Sequence, residues 1–284
     1  MVTDAEKSMA ATLAAFFVAH RAEIVAPLLA AYKPTTGKQA HHAPSVQPGA
    51  AQCACHACKS PAGGGLDLEV QQELDRLLLK LDITSFEDLP AQVQADLLKV
   101  AKSGALLGAE QLASDMSAEA YDSLVNLVNE RAVALAADRS AAMVGMKWVD
   151  GELIPNPNTL WRIDEGTRAL IRSDVSQALQ EGWSNSSLAD TLMDPKHAAF
   201  SEARANMVAR TELAKMDMQA NTAAWKESGL VQEKIWLLAQ NPCDQCTANA
   251  EQGAIPIDDE FDGGEMEPPQ HPNCSCDLAP VVGD

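Results

Sequence analysis

The chain has 284 residues and a formal net charge of −19 at pH 7. Hydrophobic residues make up 46% of it and aromatic residues only 4%, which favours packed helices over a sheet sandwich. The acidic balance argues against a general phosphate-binding surface, because non-specific nucleic-acid binding depends on lysine and arginine.

Residues 5–32 have the periodicity of an alanine-rich amphipathic helix, which Pro27 is expected to end or kink. Two interpretations of its apolar face are open: packing in the core, or docking on a partner. The apolar run from Met9 to Ala19 is too short to span a membrane, and it lacks the basic flank of a signal peptide. We therefore expect a cytoplasmic product with no membrane segment.

Residues 34–65 differ in composition, with several prolines and a run of three glycines that indicate a linker or an insertion. A compact group of metal-ligating residues lies inside this segment: Cys53, Cys55, His56 and Cys58. A second zinc site and a flexible loop without ordered metal are both open here. Adjacent Cys55 and His56 do not easily bind the same ion, which argues against all four acting together.

Residues 66–112 are predicted to form two or more helices, and the capping-box pattern Thr84-Ser-Phe-Glu87 is expected to start one of them. A further long helix is predicted over residues 118–146. The turn dipeptide Asp150-Gly151 predicts a small hairpin after it.

Helix returns over residues 164–182 and from Ser201 to Ser228, with Gly182 and Gly229 as the residues that end these two helices. Alternating apolar and polar residues then predict a strand over Val231 to Ala239. The predicted fold class is mainly α-helical, with a small α+β zinc-stapled C-terminal module. The predicted divisions are an N-terminal helix, a linker, a helical domain and a C-terminal domain: 1–33, 34–65, 66–162 and 163–284.

Soft metal ligands are concentrated after this strand, in Cys243-Asp-Gln-Cys246 and His271-Pro-Asn-Cys274-Ser-Cys276. Thiolate and imidazole ligands close a tetrahedron around zinc, and a C-x2-C turn places two sulfurs on one ion. Four of the five groups are expected to bind a structural zinc ion. Cys243, Cys246 and His271 come first, and the choice between Cys274 and Cys276 is open.

A reduced cluster without metal, or an opportunistic disulfide, are the alternatives to the structural zinc. Catalytic zinc is disfavoured, because protein groups can fill all four positions and a catalytic site keeps one open for water. No catalytic residue is predicted.

Arg210 and Glu212 lie in the middle of the predicted helix from Ser201 to Ser228. They are expected to form a structural ion pair that orients this helix against the metal-binding segment. Glu212 has no nucleophile or second carboxylate at a matching spacing, so a general acid–base role is the weaker interpretation. His197, near a loop, and the acidic loop 258–267 are expected to be solvated.

Several segments between about 164 and 280, taken in order, resemble the phage head morphogenesis, or Mu F-like, minor head proteins. These segments are Glu181-Gly-Trp-Ser-Asn-Ser-Ser-Leu-Ala, the helix that ends in Ala209-Arg-Thr-Glu212, Trp225 to Gly229, Ile235-Trp236, Cys243-Asp-Gln-Cys246 and Pro268-Pro-Gln-His271-Pro-Asn-Cys274-Ser-Cys276. Two positions depart from the family pattern. Asn241-Pro242 stands where an acidic residue often precedes the C-x-x-C, and Ser275 replaces the arginine between the last two cysteines, so any role of that arginine is in doubt.

The resemblance implies a non-enzymatic structural protein of the virion, associated in a few copies with the portal vertex or the capsid interior. It implies a role in head assembly and in DNA packaging or delivery, after assembly in the host cytoplasm. The implied partners are the portal protein and the major capsid or scaffold protein, with weak contact with packaged DNA and no membrane. Two alternatives are an enzyme or toxin domain fused to a head-protein module, and a zinc-dependent DNA-binding protein of the virion interior.

Overall fold

The computed structural model describes residues 4–34, 68–156, 158–159 and 162–283. This part of the chain is mainly helical with a few short strands, which confirms the mainly α-helical fold class. The helices are α1 (Asp4–Ala31), α2 (Leu68–Leu78), α3 (Leu89–Glu110), α4 (Ala118–Ala142), α5 (Ile163–Glu181), α6 (Asn185–Met193), α7 (Glu202–Ser228) and α8 (Asp244–Glu251). The strands are β1 (Met146–Val149), β2 (Glu152–Pro155), β3 (Val231–Leu237), β4 (Ala254–Pro256) and β5 (Asp277–Val282). Cys53, Cys55, His56 and Cys58 lie outside the described residues.

Short polar side chains and glycines set several helix ends. The hydroxyl groups of Ser117 and Ser201 accept hydrogen bonds from backbone N–H groups in the first turns of α4 and α7. Gly182 and Gly229 end α5 and α7 in the left-handed conformation, with φ of 68° and 69°. The two glycine stops predicted from the sequence are therefore confirmed.

Two expected helix boundaries are wrong. Pro27 does not end α1, which continues to Ala31, and Val25 and Leu28 near the proline are buried. Thr84 does not cap an α-helix; its backbone N–H and its hydroxyl both donate to Asp82 Oδ1, at 3.0 and 2.6 Å. The segment Thr84–Asp88 forms a 3₁₀ turn, and α3 begins only at Leu89.

Helix α1 packs in the main core, against α7 and α3, which confirms the core-packing interpretation of its apolar face. Among the described helices, α1 is long and apolar enough to cross a membrane by length and composition. Those two properties are weak support for a membrane span, because core helices and signal sequences share them. The side chains of Met9, Leu13, Phe17 and Ile24 are fully buried inside the protein.

Helix α7 is the centre of the main core, where it contacts α1, α3 and α4. Gly104 and Gly108 lie where α3 crosses it. A Cβ atom on Gly104 would lie 2.7 Å from the backbone oxygen of Asp217, and one on Gly108 would lie 2.9 Å from that of Asn221. The two glycines therefore allow a backbone approach that any larger residue would prevent.

The strands form two small antiparallel sheets. Strands β1 and β2 make the predicted hairpin, with positive φ at Asp150 and Gly151, as a tight two-residue turn requires. Strand β3, also predicted, is the centre of a three-stranded sheet with the order β4-β3-β5. This sheet and α8 surround a second core, which holds Trp225 from the end of α7, Trp236 and Phe261.

Candidate metal centre

Cys243 and Cys246 lie at the start of α8. Cys243 is the N-cap of this helix, and its sulfur accepts the N–H of Cys246 at 3.4 Å. The first turn of the helix therefore places both cysteines at its N-terminus, where the helix dipole favours a thiolate. This local geometry follows directly from the C-x-x-C spacing.

A tight turn brings the second group of ligands back to α8. The backbone N–H of Cys274 donates to the carbonyl of His271 at 3.0 Å, and Asn273 between them has a φ of 61°. As a result, Cys274 Sγ lies 3.7 Å from Cys246 Sγ. His271 Nε2 lies 4.0 Å from the same sulfur.

All five predicted ligands meet in this place, in two overlapping groups. Cys243, Cys246 and His271 form one group, and Cys246, Cys274 and Cys276 form the other, with the ligand atoms of each within 4.8 Å of one another. Two sulfurs bound at about 2.3 Å to a tetrahedral zinc ion would be about 3.8 Å apart. The observed separation of Cys246 and Cys274 fits that geometry, and the four cysteines are free thiols. Which four groups bind stays a prediction.

The ring of His271 is oriented for metal binding. Its Nδ1 lies 2.9 Å from the carbonyl oxygen of Pro272, which can only accept a hydrogen bond. Nδ1 therefore carries the proton, and the lone pair of Nε2 faces the sulfurs. A backbone carbonyl on the second ring nitrogen is the usual way in which a histidine ligand is held.

Burial shapes the chemistry of the sulfurs. The thiols of Cys246 and Cys274 are buried, and this burial raises the pKa of both. The charge of Cys274 and hydrogen bonds with the neighbouring sulfurs add to the raised pKa of Cys246, so its thiolate is disfavoured without a cation. A divalent cation reverses this preference by stabilising the thiolates, with release of protons on binding. The donor set therefore fits a soft divalent metal ion.

An amide network that the sequence did not predict supports the segment that carries the second group of candidate ligands. Asn249 of α8 is fully buried, and its Nδ2 donates to Gln270 Oε1 at 2.8 Å. Gln270 Nε2 donates to the carbonyl of Gly263, and the N–H of Gly263 returns to Asn249 Oδ1. This closed ring of hydrogen bonds holds Gln270, the residue before His271, against α8. An asparagine inside a short helix gave no signal of this role.

The predicted ion pair between Arg210 and Glu212 is not formed. Residues two positions apart in a helix point in widely different directions, so these side chains cannot face each other. Glu212 instead pairs with Arg139 of α4, whose Nε donates to Glu212 Oε2 at 2.6 Å. Arg210 is half exposed and lies 3.9 Å from Glu6 of α1.

His197 is not solvated as expected from the sequence. It is buried, its Nε2 lies 2.9 Å from Asp174 Oδ2, and its Nδ1 accepts the N–H of Ala199 at 3.1 Å. The imidazole of His197 therefore links the loop that contains it to Asp174 on α5. The partner that stabilises the histidine lies 23 residues earlier in the chain, which no local pattern reveals.

The acidic loop 258–267 is only partly solvated. Phe261 and Glu267 are buried, and Glu265 pairs with Lys215 of α7 at 3.2 Å. Burial raises the pKa of Glu267. The loop therefore anchors the second core to α7 as well as exposing carboxylates.

Residues 169–279 match the family model described as Phage Mu protein F like protein. No curated protein and no solved structure matches the chain. The matched range begins within α5 and ends within β5, so it contains α7 and all five candidate ligands. Helices α1 to α4 lie outside it.

Proposed function

We propose that the protein is a non-enzymatic minor head protein at the portal vertex or in the capsid interior. Support comes from the match of residues 169–279 to the model of the Mu F-like family. That family is one of structural head proteins, and the match suggests a role in head morphogenesis and a place in the virion. The proposed partners are the portal protein and the major capsid or scaffold protein. The observation that carries the proposal is the family match over the segment that holds the metal centre.

The net charge of −19 supports a contact with proteins more than with packaged DNA. A protein of this charge is repelled by the phosphate backbone at long range. We therefore place the main contacts on protein surfaces of the head, and contact with DNA is weak.

We further propose that the candidate metal centre holds one structural zinc ion. Support comes from the soft donor set, the sulfur separation of 3.7 Å and the orientation of His271. When bound, zinc would link the start of α8 to the 271–276 turn, within a module whose own core is small. Cys243, Cys246 and His271 would bind together with Cys274 or Cys276.

The head assignment is tested on purified phage heads and on assembly intermediates, separated by density gradient and examined by mass spectrometry. We expect the protein in both, in a few copies per head, and we expect it to co-purify with the portal protein. Heads that contain no copy of it would refute the assignment. Deletion of the gene should impair head assembly or DNA delivery, whereas normal infectious particles without the protein would contradict the proposed role.

Zinc content is tested by elemental analysis of the full chain purified without added metal. We expect about one zinc ion per chain. The substitution Cys246→Ser should remove it, because Cys246 belongs to both ligand groups. Cys55→Ser is the matched control, and it lowers the zinc content only if the Cys53–Cys58 group binds a second ion. A metal-free chain that is fully folded would refute the structural role.

A further inference from the structure

We infer that Thr211 is a positioning residue for the metal centre, because its hydroxyl holds the turn that joins two of the candidate ligands. The inference rests on the proposed zinc site. Thr211 lies in the segment Ala209-Arg-Thr-Glu212 that contributes to the family resemblance, but the resemblance gives this threonine no role.

The hydrogen-bond geometry gives the Thr211 hydroxyl a defined direction. Thr211 is buried on α7, and its Oγ1 lies 2.8 Å from the carbonyl oxygen of Met207, which can only accept. The single hydroxyl proton is therefore used there. The oxygen is left to accept the backbone N–H of Asn273, at 3.0 Å.

The accepted N–H belongs to the peptide between His271 and Cys274. Asn273 has a left-handed backbone, and the carbonyl of His271 accepts the N–H of Cys274 across it. A rotation of this peptide would change the separation of the imidazole and the sulfur. The bond from Asn273 to Thr211 opposes that rotation, because α7 is itself fixed by the main core.

The three neighbouring residues Arg210, Thr211 and Glu212 contact three different parts of the molecule. Successive helical side chains point about 100° apart. Arg210 reaches α1, Thr211 reaches the metal-binding turn, and Glu212 reaches Arg139 on α4. Of the three, Thr211 is the residue whose side chain accepts a hydrogen bond from the turn between His271 and Cys274.

The test compares three variants of the full chain. Thr211→Val keeps the shape of the side chain but removes the acceptor, whereas Thr211→Ser keeps the hydroxyl. Thr222→Val is the matched control, since Thr222 is equally buried on the same helix and its Oγ1 has no hydrogen-bond partner in the described structure. Zinc affinity is measured by competition with a chromogenic chelator, and the coordination sphere is followed by the absorption spectrum of the cobalt-substituted protein.

We expect Thr211→Val to weaken zinc binding by about 10- to 100-fold, the usual effect of losing an outer partner of a metal ligand. Thr211→Ser should restore most of the affinity, and Thr222→Val should leave it unchanged. Zinc binding by Thr211→Val that equals the wild type would overturn the inference and leave the zinc proposal standing. An equal loss in Thr222→Val would also overturn it, because the effect would then be general destabilisation.

Hydrogen exchange of the Asn273 amide separates this inference from the zinc proposal. If the wild-type chain binds neither zinc nor cobalt, the zinc proposal fails, and with it the role of Thr211 at a metal. Faster exchange in Thr211→Val than in Thr222→Val would then still show that Thr211 holds the turn. Equal exchange in the two variants would refute that link as well.

Discussion

Replacing Glu212 by glutamine should destabilise the protein, because it leaves the guanidinium of Arg139 buried without a counter-charge. The side chains of Arg139 and Glu212 are 9% and 4% exposed, and Nε and Nη2 of the arginine lie 2.6 and 2.5 Å from Oε2 of the glutamate. Removing one partner of such a buried pair costs about 3–5 kcal/mol. Glutamine keeps an acceptor for Nε–H, so we expect a loss of about 3 kcal/mol in the free energy of unfolding.

Urea denaturation, followed by circular dichroism, measures this loss. The double variant Arg139→Met with Glu212→Leu should lose much less free energy of unfolding than its two single variants lose in sum. In the double variant neither charge is buried alone. Arg210→Gln is the control. Arg210 lies 3.9 Å from Glu6 and is half exposed, so its loss should cost less than about 1 kcal/mol.

Two results would refute this reasoning. If Glu212→Gln unfolded at the same urea concentration as the wild type, the pair would not carry a buried charge. If Arg210→Gln were as destabilising as Glu212→Gln, the division of roles between these neighbours would be wrong.

Three further predictions follow from other contacts. Gly108→Ala should lower the free energy of unfolding by about 1–3 kcal/mol in urea denaturation, because its Cβ would lie 2.9 Å from the backbone oxygen of Asn221, and an unchanged midpoint would contradict the close helix contact. Burial, and to a smaller extent the charge of Asp277, raise the pKa of Asp217 to about 6. The stability that protonated Asp217 contributes is therefore present below pH 4 and is lost as the pH rises through about 6. Asp217→Asn should stabilise the protein by about 1–2 kcal/mol at pH 8, after allowance for solvent screening, and not at pH 4; an equal gain at both pH values would contradict the raised pKa. Removal of metal by a chelator under reducing conditions should speed hydrogen exchange over residues 243–276 while α3 stays protected, and uniform protection would argue against a metal-held module.

Features that depend on neighbouring residues could be predicted from the sequence. The caps at Ser117 and Ser201 and the glycine stops are local, since the group that satisfies each helix end lies within a few residues. The five candidate ligands were also found from spacing alone, because a C-x-x-C on a first helical turn and a short His-to-Cys turn each fix their own geometry. What remained open was the choice among ligands that crowd one position.

Features that depend on distant partners could not be predicted. Glu212 meets an arginine that lies 73 residues earlier, and His197 meets an aspartate on another helix. From the sequence, Glu212 was expected to pair with nearby Arg210 and His197 to be solvated. No periodic pattern marks a pair that forms only when helices pack together. The expectation at Thr84 failed for a different reason, since Thr84–Asp88 is a 3₁₀ turn and Asp82 accepts both the N–H and the hydroxyl proton of Thr84.

The position of α7 between two cores has a consequence for how the chain can be divided. The family match starts within α5, yet the surface that α7 presents to α1, α3 and α4 is made of buried residues. A recombinant fragment limited to residues 169–279 would expose that surface to water and should aggregate. The boundary of sequence similarity is therefore a poor guide to where the gene can be cut. Helices α1, α3 and α4, which lie outside the matched range, cover this face of α7.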